Sequence, residues 1–300
     1  MTHRLIPTFA LLFAAPAPLP AASVHTQLTR FCDAPKAEVP RLVEAIARLE
    51  TIGDRLLSAS ERFLGVRYQS DPLGEGPDNP PDEDPRVRFD AVDCTTFVET
   101  VIALARSRGG ADLEPVLDDL RYDGEVGYAN RNHFFAAQWL RANVRKGYVR
   151  DVTGQLAPGA AVTHTKVITP DQWRARALGT RIRLPEERAP IGSFELRYVP
   201  LDKVAGLAPR IPSGTLLAVV REDRPLVPFM VTHLGFIVQT SKGTVVRHAG
   251  RDLYGQVIDE QLEHFLRRNM RYRRRRVLGF QFLEVLDAPA TTAEPKPAGL

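Results

Sequence analysis

The sequence predicts an α+β domain, on three observations. Apolar residues recur at helical spacing through the first half of the chain, β-branched runs dominate the second half, and the two patterns do not alternate as βαβ units would. With 300 residues, 44% of them hydrophobic and 25% charged, the chain can bury a substantial core, and no internal repeat divides it.

Taken in order, residues 1–22 read as a signal peptide: Thr2-His3-Arg4 is a short basic end, an apolar run follows, and small residues lead to a cleavage site near Ala21 or Ala22. The apolar run is too short to span a bilayer, so the mature chain is expected to be exported, with no stable membrane insertion. Residues 23–287 are expected to form a single domain, and 288–300 a disordered tail rich in proline, alanine and threonine. Val39, Leu42, Val43, Ile46 and Leu49 share a helical face, which Leu56, Leu57, Phe63 and Leu64 resume after Gly53. Residues 69–85 hold seven prolines and glycines among many acids and predict a long irregular loop.

A buried helix follows from Phe97, because Val98, Val101, Ile102, Leu104 and Ala105 cover most of its circumference. After Gly109-Gly110 a polar connection is expected to reach a strand at Arg121-Tyr122, and a second helix spans 133–144. From 160 to 210 the periodicity is weak and predicts short strands and loops, with one helix over 169–178 capped by Thr169-Pro170. Beyond Ser213 strands are expected at 215–220, 233–239, 243–248 and 277–286, with an amphipathic helix over 259–268.

Cys94 falls in the first turn of the buried helix, with Asp90 and Asp93 as candidate N-caps. Unpaired N–H groups and the helix dipole favour an anion there, so the thiol is expected to ionise more easily than usual. An inert buried thiol fits the same pattern, and so does a Cys32–Cys94 disulfide, since these are the two cysteines of an exported chain. A thiolate nucleophile needs a nearby base, and of seven histidines His3 and His25 lie in or beside the signal and His264 on a surface-like helix. His233 opens one predicted strand and His248 closes the next, so a tight turn would bring both imidazoles towards Cys94. Either histidine alone would otherwise be read as a hydrogen-bonded structural residue.

No paired His-x-x-x-His, Cys-x-x-Cys or glycine-rich phosphate loop is present, so neither a metal nor a cofactor is implied. The net charge of +4 is uneven: Arg267, Arg268, Arg271 and the run 273–276 form a basic stretch, read as a solvated face with anionic wall polymers as the rival partner. It lacks the aromatic interleaving of a nucleic-acid site, and nucleic acid does not suit an exported chain.

The order of Gly65-Val66-Arg67-Tyr68, then Asp93-Cys94-Thr95-Thr96-Phe97-Val98-Glu99, then His233-Leu234-Gly235-Phe236-Ile237-Val238, then His248-Ala249 resembles the NlpC-type papain-like cysteine amidases and peptidases of the bacterial cell wall. Tyr128, Arg131, His133, Phe134 and Phe135, with Asp151-Val152-Thr153, resemble the N-acetylmuramoyl-L-alanine amidase-like branch in particular. The resemblance implies a papain-like fold, with a nucleophile-bearing central helix packed on an antiparallel sheet and residues 109–210 as an insertion shaping the cleft. It implies Cys94 as nucleophile, His233 as general base and His248 as the group orienting it, without cofactor. Tyr68, Tyr128, Arg131 and His133 match substrate-binding positions. Arg131 suits a substrate carboxylate, with ion pairing inside the fold as the alternative. Thr215 stands where the family usually shows aspartate, and Val66-Arg67 replaces a small residue and proline.

The implied substrates are peptidoglycan fragments, cut between N-acetylmuramic acid and L-alanine, with the 1,6-anhydro sugar as one form. Two other readings stay open: a stem endopeptidase cutting after γ-D-glutamate, and an inactive muropeptide-binding protein.

Overall fold

The computed structural model describes residues 28–176 and 182–287. The expected signal peptide, the expected tail and the end of the expected 169–178 helix lie outside the described residues. The helices are α1 (Val39–Ala47), α2 (Ile52–Arg62), α3 (Cys94–Arg106), α4 (Gly110–Arg121), α5 (Leu140–Arg145), α6 (Thr153–Leu156), α7 (Pro170–Arg174), α8 (Leu201–Leu207) and α9 (Leu262–Met270). The strands are β1 (Arg67–Tyr68), β2 (Ala91–Val92), β3 (Val149–Asp151), β4 (Val162–Ile168), β5 (Gly192–Pro200), β6 (Leu216–Arg221), β7 (Val231–Thr240), β8 (Gly243–Gly250), β9 (Gln256–Gln261) and β10 (Val277–Val285).

The strands form one sheet in the order β2-β1-β9-β8-β7-β6-β10-β5-β4, with β3 also on β10. Only the short β1–β2 pair is parallel among the described pairings. Side chains of β6 alternate between the two faces: Leu216, Ala218 and Val220 join the core under α1–α4, while Leu217 and Val219 join the core under α8 and α9. The sheet is thus covered on both sides, so β6 is apolar from Leu216 to Val220.

Ten of the thirteen residues of α3 are buried, so this helix runs through the core between α2, α4 and the β7–β8 surface. The loop before it carries no regular element between β1 and β2, as its prolines and glycines predict.

Four expectations are corrected. Where a polar connection and a strand were expected after Gly109, the chain forms α4, burying Leu113, Leu117 and Leu120 at helical spacing; Pro115 in its first turns obscures the pattern. Tyr122 makes only an isolated bridge with Arg131. The expected helix over 259–268 divides into β9 and α9, because Val257 and Glu260 turn inward from a strand. The weak periodicity of 160–210 hides a long hairpin, β4 with β5, followed by α8. The expected 133–144 helix begins as a π-helical turn, Phe135–Trp139, before α5.

Candidate active site

Asp93 caps α3 and thereby places Cys94. Its Oδ1 accepts from the N–H groups of Thr95 at 3.0 Å and Thr96 at 2.8 Å, while the Thr96 hydroxyl accepts from the Asp93 N–H. Cys94 is the first residue of α3, so its own N–H lies at the helix start, where it acts on the Cys94 sulfur. Asp93 Oδ2 accepts from the Asp71 N–H at 3.3 Å, so the same carboxylate joins the long loop to the thiol-bearing turn.

β7 and β8 bring the two histidines together. His233 Nε2 lies 2.9 Å from His248 Nδ1, with the rings nearly perpendicular. Gly235 explains the His-x-Gly spacing: a Cβ there would stand 2.9 Å from His248 Cβ and from the Arg247 carbonyl oxygen, so a side chain would push the second imidazole away. Behind His248, its Nε2 lies 3.0 Å from Glu260 Oε2 on β9, and both side chains are 1% exposed. Glu260 is also held by Arg268 at 2.7 Å and by His264 Nδ1 at 2.9 Å. Burial raises the Glu260 carboxyl, but the bonds from His248 and Arg268 outweigh that and hold it at about 2.

An ionised Glu260 fixes the direction of the hydrogen bonds. It can only accept, so His248 Nε2 carries a proton and donates to it. Burial, then His248 and Arg268, lower the pKa of His233 well below its usual value, so the resting imidazole is neutral.

Cys94 corrects the expected electrostatics. Burial and the adjacent Asp93 charge push its thiol up to about 12, outweighing the Leu234 N–H, the Thr95 hydroxyl and the helix start, which favour the thiolate. At neutral pH Cys94 is therefore a thiol and His233 a neutral imidazole.

Cys94, Thr232 and His233 line two adjoining cavities. One, about 430 Å³, is bounded by Tyr68, Arg221, His248, Arg251, Tyr254 and Arg268. The other, about 250 Å³, is bounded by Asn132, His133, Phe135, Trp139, Phe229 and Leu234, several of them from the 109–210 stretch. Cys94 thus stands in the wall between the two cavities. Among the described residues no group of three or more His, Cys, Asp or Glu side chains is placed to hold a metal ion, and no helix is long and apolar enough to cross a membrane.

The AmiA-like family, described as N-acetylmuramoyl-L-alanine amidase-like, has a model that matches residues 58–271. The chain belongs to this family. No curated protein matches it significantly. Among solved structures, a protein from Legionella pneumophila superposes with a TM-score of 0.72 at 24% identity, covering 83% of this chain and 95% of that one. An N-acetylmuramoyl-L-alanine amidase from Bacteroides uniformis superposes with a TM-score of 0.60 at 26% identity, covering 77% of this chain and 99% of that one.

In this member of the amidase-like family the structure brings together Cys94, His233, His248, Tyr68 and His133 along the cleft. Tyr68 sits on β1, its hydroxyl pKa raised by burial and by Cys94 and Asp93. His133 Nε2 lies 2.7 Å from the Tyr128 carbonyl oxygen, and burial lowers its pKa to about 4. Tyr128 and Arg131 lie behind this wall. Arg131 is 9% exposed and bonds to Glu75 at 2.6 Å and Asp82 at 2.7 Å, so its guanidinium is engaged by the chain's own loop, the ion-pairing alternative. Thr215 bonds to the Pro212 carbonyl and faces a different cavity, and Arg67 pairs with Asp90.

The Cys32–Cys94 disulfide is absent: both thiols are free, Cys32 exposed with its sulfur against the Leu64 carbonyl. Sequence reasoning missed Glu260 and Arg268, and set His264 aside although it touches Glu260. Val257-Ile258 ahead of Glu260 is a β-branched pair, but it fits a strand and the approach to a helix equally, so nothing local marked Glu260 as buried.

Proposed function

We propose that this protein is an exported cysteine amidase with a papain-like fold, cutting the amide between N-acetylmuramic acid and L-alanine in soluble muropeptides. One observation carries the reading: Cys94 opens a buried, capped helix and lines the same cavities as His233, whose Nε2 lies against His248, itself bonded to Glu260. Cys94 gives its proton to His233 as the sulfur attacks the lactyl carbonyl, and the Cys94 N–H stabilises the oxyanion. The imidazolium then protonates the departing alanine nitrogen, leaving a thioester and a free stem peptide. Water, giving its proton to His233, attacks the thioester; the carboxylic acid leaves and the thiol is restored.

Tyr68 and His133 border the reacting bond, while Tyr128 and Arg131 support the wall behind it. Residues 109–210 act as a cleft-shaping insertion within a single domain spanning 23–287. Residues 1–22 direct export and are removed. The test is product analysis by mass spectrometry of mature protein on a defined sugar–stem muropeptide, beside Cys94→Ala. Release of the intact stem from the sugar, absent in the variant, is expected; cleavage inside the stem would transfer the same residues to an endopeptidase.

A further inference from the structure

The cleft differs in charge on the two sides of Cys94. Among the described residues no formally charged side chain bounds the smaller cavity: His133 is neutral at pH 7, and the rest are aromatic, aliphatic or uncharged polar groups. Phe135 and Trp139 stack there at 5.1 Å and 12°, with Trp139 Nε1 fixed by Glu99 Oε1 at 2.9 Å. The larger cavity holds three arginines, Arg221, Arg251 and Arg268, against one acid, Asp252.

Those arginines are not equally compensated. Arg268 is paired with Glu260, and exposed Arg251 with Asp252 at 3.3 Å. Arg221 is half-buried, and its bonds go to the Thr232 hydroxyl at 2.8 Å and the Arg275 carbonyl at 2.7 Å, with its guanidinium 4.0 Å from the centre of the Tyr272 ring. Among the described residues no carboxylate pairs with it. Arg275 stands behind it, also half-buried, and donates to the carbonyls of Glu222 and Phe229. Burial lowers both guanidinium pKa values, and the arginines oppose each other: Arg268 acts on Arg221, and Arg221 with Arg224 on Arg275. A half-buried cation without a counter-ion is costly, and here the deficit opens into the cleft.

We infer that Arg221 anchors a carboxylate subsite, so that the acidic stem peptide occupies the arginine-lined arm and the sugar occupies the uncharged aromatic arm. The inference rests on the amidase reading and adds an orientation to it. In a muropeptide the lactyl carboxyl is consumed in the scissile amide, so every free carboxylate lies on the peptide side of the bond. A guanidinium suits such a group, whereas the part-exposed ring of Phe135, backed by the buried Trp139 on which it stacks, suits the apolar face of a sugar ring. The basic stretch near the C-terminus then divides: Arg267 and Arg276 form ion pairs with Glu263 and Glu222, while Arg268 and Tyr272 line the stem arm and Arg275 backs it.

The test is calorimetric binding of a free stem peptide, L-alanyl-γ-D-glutamyl-L-lysine, and its fully amidated form to intact Cys94→Ala protein. The free acid should bind at least roughly tenfold more tightly, as a charge-assisted contact implies. Arg221→Gln should abolish that preference while amidated-peptide affinity stays within about twofold, and Arg221→Lys should restore part of it. Equal affinity for the two peptides in the Cys94→Ala parent would overturn the inference, and so would equal weakening of both by Arg221→Gln with the protein still folded by circular dichroism. Failure of the amidase reading shows separately, as wild-type protein that leaves the sugar–stem amide uncut.

Discussion

At Cys94 the helix start and the Asp93 charge act in opposite directions, and the charge with burial prevails. Asp93→Asn keeps a side chain able to cap the helix but removes the like charge. It should lower the thiol pKa from about 12, so that alkylation by iodoacetamide at pH 8 is several-fold faster than in wild type. An unchanged rate would mean that Asp93 does not govern the thiol. Glu260 is the second informative residue. Its folded carboxyl sits near 2, below the usual 4.5, so it contributes stability that is complete above about pH 4.5 and is lost as pH falls through about 2. Glu260→Gln should flatten the acid limb of the stability profile. It should also lower kcat/KM by roughly tenfold to a hundredfold with KM little changed, because the tautomer of His248 is no longer imposed. A loss of stability without any change in its pH dependence would reduce Glu260 to a packing role.

At the scale of elements, the long loop before α3 depends on side chains from elsewhere in place of secondary structure. Arg121 donates to the carbonyls of Leu73 and Gly74, Tyr122 bonds to Glu75 at 3.0 Å, Arg86 pairs with Glu114 and Asp118, and Arg131 closes the set. These groups make the Tyr128–His133 segment a brace for the turn that carries Cys94. Arg131→Met would leave the 1% exposed Glu75 carboxylate and its neighbour Asp82 without their main cation. Breaking a buried pair from one side costs about 3–5 kcal/mol, so denaturant unfolding should show a loss of that order. A loss below about 1 kcal/mol, the worth of an exposed pair, would place the cluster in water instead.

At the scale of the whole molecule, the sheet collects the site from distant parts of the chain. Cys94, His233 and His248 were legible because each sits in a strong local pattern: an apolar helix after a cap, and two β-branched strands around a Ser241-Lys242-Gly243 turn. Glu260 was not legible, since two β-branched residues ahead of Asp259 and Glu260 read equally as the approach to a helix. α4 was hidden by Pro115 and its two leading glycines, and the pairing of β1 with β9 and of β10 with β5 joins segments that no local pattern connects. The elevated thiol pKa was beyond reach for the same reason, because burial depth is a property of the folded chain. The central claim, that Cys94 attacks the carbonyl on the sugar side of the scissile bond, is tested most directly by acid-quenching a single turnover and weighing the intact protein. The account predicts an added mass equal to the muramoyl acyl group, mapped to the peptide containing Cys94 and released on longer incubation. A peptidyl adduct at Cys94, or stem release without any adduct together with an active Cys94→Ala variant, would contradict it.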